Sequence, residues 1–418
     1  MNGQKNFWDR FLAWVAVVGF VVGLVGLVDR LLNGHLHANY GSYVPWGLWV
    51  AGYIYMIGLS AGAFLMSALV YVFRVEALKK IGKLSLLVAL ATLVGALMTI
   101  WLDIGHMGRA WRLIFSTNFR SVMGWMVWLY SAYFVLLLFE IWFAMRADLI
   151  RHSNDPGFRG ALCRFLSFGK TDTSPQRLEK DARILRILGG IGVPLAVAFH
   201  GSVGAIFGVV GARPYWHSGL TPIMFLVGAL LSGGALLAFV TAVWGPEKGT
   251  ESHRRLMTLL GKITLGLLGL DVLLEWAEYS IGLWHAVPTE TASLKLILFG
   301  PYWWVFWFIH VGLGIVIPAA LLIFRPRSRG AVAVAGFLIA ITFISVRLNI
   351  VIPGLAVPEL EGLEYAFTGP GLHFHYFPSL MEWLLLFWTV SLAAAIFLLG
   401  KTYLPIIDDE SQLKEATS

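Results

Sequence analysis

Residues 58–70 read GLSAGAFLMSALV, and residues 229–243 read ALLSGGALLAFVTAV. Each sits in an apolar run, 44–73 or 222–244, long enough to cross a hydrocarbon core of roughly 30 Å as a helix. Ser60 and Ser232 are 172 positions apart, and the same offset carries Asp103 onto Glu275 in LLEWAEYS. The span after each acid is again aromatic, GWMVWLY (124–130) and YWWVFWFIH (302–310). The copies lie four spans apart, an even number, so both point the same way. The repeat predicts two parallel four-helix bundles. The competing explanation is packing alone, because Gly, Ala and Ser favour close helix contact in any membrane bundle.

Outward from these two runs, apolar stretches recur at 11–32, 84–102, 122–144, 187–210, 259–284, 294–324, 331–352 and 380–400. A chain of 418 residues that is 58% hydrophobic and 13% charged cannot cover itself with a water-facing surface. It is therefore expected to be an all-α polytopic membrane protein of about ten transmembrane helices, since lipid offers backbone amides no outside partner. The first run follows Lys5 and Arg10 without a small-residue cleavage site, which predicts a retained span. Four regions follow: 1–43, the first helix and an outer loop; 44–210, the first bundle; 211–352, the second; and 353–418, an outer loop, the last helix and a tail. The first and tenth helices flank the bundles.

The net charge of +7 is not a nucleic-acid signature, because the basic residues fall in short bursts between apolar runs. Alternate connections and the ends hold 24 Lys and Arg, against Arg109, Arg112, Arg120, Arg213 and Lys295 in the others. The positive-inside rule then places both termini in the cytoplasm. WLDIGHMGRAWR (101–112), GARPYWHS (211–218) and the Lys/Arg-free segment 353–379 fall on the outer face. That last segment, rich in Pro and Gly, is expected to form an external cap or docking loop. One cysteine, Cys163, excludes a disulfide framework and a cysteine-held cluster within the chain.

Ionisable residues in or beside spans carry the functional information, because burying one costs a few kcal/mol or more unless it is paired or wetted. They are Asp103, His106, Glu140, His200, Asp271, Glu275, Glu278, His310, Arg347 and Glu382. Each can equally be a helix-end residue reaching the interface or half of an ion pair, and Glu140 is expected to reach inward near Arg146. Asp271, Glu275 and Glu278 share one helical stripe and repel unless protons or cations compensate. His200, in AFHGSVGAIFG, has glycines beside it that leave room for a flat ligand or another helix. Haem needs two facing histidines, and His200, His310, His106 and His285 fall at unlike depths. An acid, a histidine and tyrosines walled by Trp and Phe suit an isoprenoid quinone, whose two carbonyls need donors and, on reduction, protons.

The motifs VPWGLWVAGYIYMIGLSAGAF (44–64), LDIGHMGRAW (102–111), SVMGWMVWLY (121–130) and HGSVGAIFGVVGARPYWHSGLTP (200–222) resemble the polysulfide-reductase membrane subunit family, the NrfD-like proteins. The resemblance runs over roughly 44–390. It implies a menaquinone or ubiquinone site near the outer face in the first bundle, no haem in this chain, and a periplasmic ferredoxin-like iron–sulfur partner with a further catalytic or cytochrome subunit. It puts Tyr53 where shorter members carry a quinone-contacting histidine, Asp103 and His200 at positions near the quinone, and Tyr130 as a hydroxyl donor, with His106 beside them. Glu275, Glu278, His310 and Arg347, with Glu382, would form a proton path, for which a buried Glu275–Arg347 ion pair is the structural alternative. Arg109, Arg112, Arg213, Tyr215 and His217 would dock the partner. The implied function is the quinone-interacting membrane subunit of a respiratory oxidoreductase in the bacterial inner membrane, with proton translocation an open question of the same resemblance. A secondary transporter and a passive anchor are the competing readings.

Overall fold

The structure is a computed structural model that describes residues 7–285, 287–367 and 369–407, with the side chain of His285 outside that set. The haem candidate His285 and the terminal residues expected in the cytoplasm, 1–6 and 408–418, thus lie wholly or partly outside the described residues. Ten helices are long and apolar enough to cross a membrane, and no strand occurs among the described residues. They are α1 Phe7–Asn33, α2 Leu48–Tyr71, α3 Gly82–Asp103, α4 Val122–Arg151, α5 Pro175–Gly208, α6 Thr221–Trp244, α7 Glu251–His285, α8 Val305–Phe324, α9 Arg329–Ala356 and α10 Leu380–Tyr403.

α2 packs along α3 and α5, and α4 closes the first group against α5 and α3. In the second group α6 packs along α7 and α9, with α8 against α9. The groups meet through α2 and α6, the helices that carry the repeated GLSAGAF and ALLSGGAL motifs. The glycines there are a condition of the contact. A Cβ on Gly62 would fall 2.0 Å from the Ala229 carbonyl oxygen, and one on Gly233 would fall 2.6 Å from the Ala63 nitrogen. Close backbone approach replaces the hydrophobic drive that lipid cannot supply. α2 buries 83% of its most apolar window and α1 only 17%, so α2 is central and α1 faces outward.

α1 nevertheless packs along its length against α10. Gly19, Gly23 and Gly26 form a stripe against Ser391, Trp388 and Leu384, and a Cβ on Gly23 would sit 2.6 Å from that of Trp388. At the end of α1, Arg30 is 2% exposed. Its Nε donates to the Leu102 carbonyl at 2.7 Å and its Nη2 to that of Ile104 at 2.8 Å, which caps the C-terminus of α3 with a cation.

Two expectations need correction. The single run 294–324 is two helices, Pro288–Phe299 and α8, because Gly300 and Pro301 end the first and proline lacks the N–H to continue it. α8 then opens with a π-wound stretch, Val305–Val316, a rare winding that precedes Pro318. Glu140, expected near Arg146, is left alone: Arg146 gives Nε to Asp181 at 2.5 Å and Nη1 to the Asp172 carbonyl at 2.9 Å. Glu140 is 2% exposed and its Oε1 has no hydrogen-bond partner.

Candidate functional site

Between α2, α3, α4 and α5, at the end of the bundle where α3 stops, lies a cavity of about 830 Å³. Its walls are mainly apolar, with Trp46, Ile54, Leu97, Met126 and Phe207 among them. Tyr53, Tyr130 and Asp103 all line it. Tyr53 comes from α2 and Tyr130 from the aromatic motif on α4; their hydroxyls are 2.9 Å apart, one donating to the other. The rings stand edge to face, and Phe199 packs edge-on against Tyr130, so both phenols are held by aromatic neighbours. Asp103 is the last residue of α3. The Arg30 guanidinium and the Glu382 carboxylate both act on it through space, with opposite signs.

Other expected residues lie differently. His200 is fully buried but does not line the cavity. Its Nε2–H donates to the Phe225 carbonyl at 2.9 Å, which fixes the tautomer, and its Nδ1 is left without a partner. His106 is exposed in the loop after α3. Arg112, expected at a partner surface, lines the cavity mouth with Thr117, Asn118 and Ser121, none of which stood out by residue type. A usable signal existed, since Ser121 opens the quoted SVMGWMVWLY motif.

The second group holds the acids. Asp271, Glu275 and Glu278 from α7 line a void of about 50 Å³ with Tyr215, Tyr279 and Arg347. That is room for about one or two waters. His310, on the π-wound part of α8, donates Nε2–H to Glu275 at 2.8 and 3.0 Å. The alternative Glu275–Arg347 ion pair does not form. Arg347 instead lies over the rings of Phe225 at 4.4 Å and Phe343 at 5.1 Å, and its Nη2 reaches the Phe225 carbonyl at 3.5 Å. His200 and Arg347 therefore converge on one carbonyl, at the position that the 172-residue offset pairs with Tyr53.

Glu382 stands apart from these acids. It closes a capping box with Ser379, accepts from the Asn39 amide at 3.0 Å and from the Tyr376 hydroxyl, and Tyr376 in turn takes the Leu48 amide at 2.6 Å. It thus clamps the start of α2 to α10. Among the expected docking residues, Arg109 and His217 are exposed. Arg213 is tied to the Val357 carbonyl at 2.8 Å and to Glu359 at 2.9 Å, and burial pulls its guanidinium below the usual range while Glu359 opposes that shift. Tyr215 donates to the Asn349 carbonyl at 3.0 Å, inside the second group. Among the described residues no cluster of three His, Cys, Asp or Glu side chains could hold a metal ion.

Residues 37–359 match the family model described as polysulphide reductase, NrfD. The chain belongs to the NrfD family. It is 34% identical over 417 residues to a selenate reductase subunit of Mesobacillus selenatarsenatis, with 98% of this chain and 96% of that relative covered. It is 28% identical to the Hdr-like menaquinol oxidoreductase integral membrane subunit of Archaeoglobus fulgidus, covering 96% of this chain and 95% of the relative. It is 24% identical to the integral membrane subunit of menaquinone reductase from Nitratidesulfovibrio vulgaris, covering 97% and 94%. The matched NrfD region contains α2 to α9 whole and all of the cavity and acid cluster described above, while α10 and Glu382 lie beyond it.

Proposed function

We propose that this NrfD-family chain is the quinone-reactive membrane subunit of a respiratory oxidoreductase in the bacterial inner membrane, exchanging two electrons between menaquinone or ubiquinone and a periplasmic iron–sulfur subunit. The observation that carries the reading is the convergence of Tyr53, Tyr130 and Asp103 on one large apolar cavity. An isoprenoid quinone supplies a ring with two carbonyls that takes up two electrons and two protons. The residues present fit such a ring: aromatic and aliphatic walls take its faces and tail, a phenol can donate to one carbonyl, and a carboxyl stands ready to exchange a proton. The Tyr53–Tyr130 bond orients both hydroxyls, and Arg30 and Glu382 set the field at Asp103.

In this reading the chain carries no haem, and its 44–210 and 211–352 regions divide the work. His200 holds the Phe225 carbonyl of α6 rather than the ring, and His106 stands in the exposed loop after α3. Glu275, His310, Asp271 and Glu278 exchange protons around their small void beside the fixed charge of Arg347, whereas Glu382 serves the first cavity. Arg109, Arg112 and His217 offer the partner a basic surface, while Arg213 and Tyr215 hold the loop beneath it. The charge asymmetry puts the Asp103 end outside and both termini in the cytoplasm. The names of the menaquinol and menaquinone oxidoreductase relatives support the same function.

The test is Asp103→Asn in the intact complex, which keeps the shape and removes the titrating group. Quinone turnover should fall about a hundredfold or more, the scale of a lost acid–base group, with dye-linked activity of the partner retained. Equal loss of both activities would mean that Asp103 only supports the fold. Tyr53→Phe should act more mildly, raising the quinone KM about tenfold for one hydrogen bond.

A further inference from the structure

A second cavity, of about 360 Å³, lies between the start of α8, the C-terminal half of α9 and the 374–378 chain that leads into α10. Its volume falls within the roughly 300–1,000 Å³ of small-molecule sites. Ile309, Leu348, Ile352 and Trp383 make its walls apolar. Tyr302 donates its hydroxyl to the Tyr376 carbonyl at 3.0 Å, which closes the 374–378 chain over it. One polar group is left over. Asn349 lines the cavity, and its Nδ2 is buried with no hydrogen-bond partner. A buried donor without an acceptor costs about 1–3 kcal/mol, so the site is incomplete as the chain alone builds it. Asn349 also lines the small void that holds Asp271, Glu275 and Glu278, so the two spaces share a wall.

We propose that this cavity binds a second isoprenoid quinone, with a ring carbonyl accepting from Asn349 Nδ2 and the ring held among Tyr302, Ile309, Ile352 and Trp383. The ligand must be flat or thin, mostly apolar, and able to present an acceptor to a buried amide. A quinone ring meets all three conditions. An ester carbonyl of a phospholipid offers the same acceptor, but on a branched glycerol body that fits between the aromatic walls of a cavity this size less well than a flat ring does. The placement also gives the acid cluster a neighbour. The carboxylates of α7 are separated from the first cavity by α6, yet stand one side chain from the second. This inference rests on the reading of the chain as quinone-reactive.

The test is photolabelling of the purified intact complex with an azido-quinone, followed by peptide mapping. Two labelled regions are expected, one within 97–131 and one within 296–309 or 344–356, both lost with excess unlabelled quinone. Ile352→Trp should abolish the second and spare the first, and Val203→Trp should do the reverse. Asn349→Leu keeps the volume and should raise the concentration for half-maximal labelling of the second region about tenfold, the value of one hydrogen bond. Labelling of the first region alone, persistence of the second in Ile352→Trp, or loss of the second label to excess phospholipid but not to excess quinone would overturn the proposal and leave the first site standing. Absence of label from both regions would overturn the quinone reading itself.

Discussion

His310 gives its Nε2–H to both carboxylate oxygens of Glu275, at 2.8 and 3.0 Å, across the gap between α8 and α7. The partner of Glu275 is thus a group that can itself gain or lose a proton, whereas an arginine would have held a fixed charge. Glu275→Gln retains a hydrogen bond and removes the titration. In proteoliposomes carrying the complex, charge movement coupled to quinone turnover should slow about a hundredfold, with electron transfer and melting temperature close to wild type. Unchanged charge movement would remove the cluster from any proton route, and a large drop in melting temperature would make it structural.

The crossing of α2 and α6 should be intolerant of a single methyl. A Cβ on Gly62 meets the Ala229 carbonyl at 2.0 Å, a backbone atom that cannot swing aside. Gly62→Ala is expected to cost about 1–3 kcal/mol or more by overpacking, read as loss of assembled chain from the membrane fraction. Gly234→Ala, whose nearest new neighbour is Leu267 Cδ1 at 4.0 Å, should assemble normally. Equal yields of the two variants would refute the close-approach account of the α2–α6 crossing.

A pH dependence follows from His35, just beyond α1. Burial, and then the charge of Arg30, lower its pKa from an ordinary 6.5. The imidazole is bonded through Nδ1 to Tyr40, and its Nε2 has no partner. Below about pH 6.5 the unfolded chain binds a proton that the folded chain resists, so the folded state loses stability as pH falls and gains it as pH rises through that window. The melting temperature should therefore decline between pH 7 and pH 5, and His35→Gln should flatten part of that slope. A slope identical in the variant would show that other groups set it.

Orientation can be read with single cysteines, because the native Cys163 is buried and gives no background. Gly362 and Gly169 are unsuitable positions, since both have positive φ, +83° and +69°. Glu361 and Lys170 beside them are exposed. Glu361→Cys should react with an impermeant maleimide in whole cells and Lys170→Cys only after permeabilisation. The opposite pattern would invert the topology.

The helical spans were legible because lipid permits few solutions, and the small-residue motifs on α2 and α6 were legible because the crossing demands glycine at Gly62 and Gly233, positions that the 172-residue offset does not pair. The break at Gly300 and Pro301 was also written in the sequence, yet the surrounding apolar residues masked it. Tyr53, Tyr130 and Asp103, each singled out by a motif, line one cavity. The rest depended on depth and helix rotation, which residue type does not encode. His200 faces α6 and not the cavity, Arg347 chose aromatic faces over a carboxylate, and Glu382 became a clamp because Asn39 and Tyr376 come to it from distant parts of the chain.

Arg30 on α1 and Glu382 on α10 reach past their own helices to hold the end of α3 and the start of α2. A shortened chain made of the two bundles alone would strip a guanidinium from the carbonyls of Leu102 and Ile104 and free the backbone that carries Asp103. The outermost pair of helices therefore belongs to the Asp103 cavity as brackets belong to a shelf, and any minimal version of this protein has to keep them or supply two new brackets of its own.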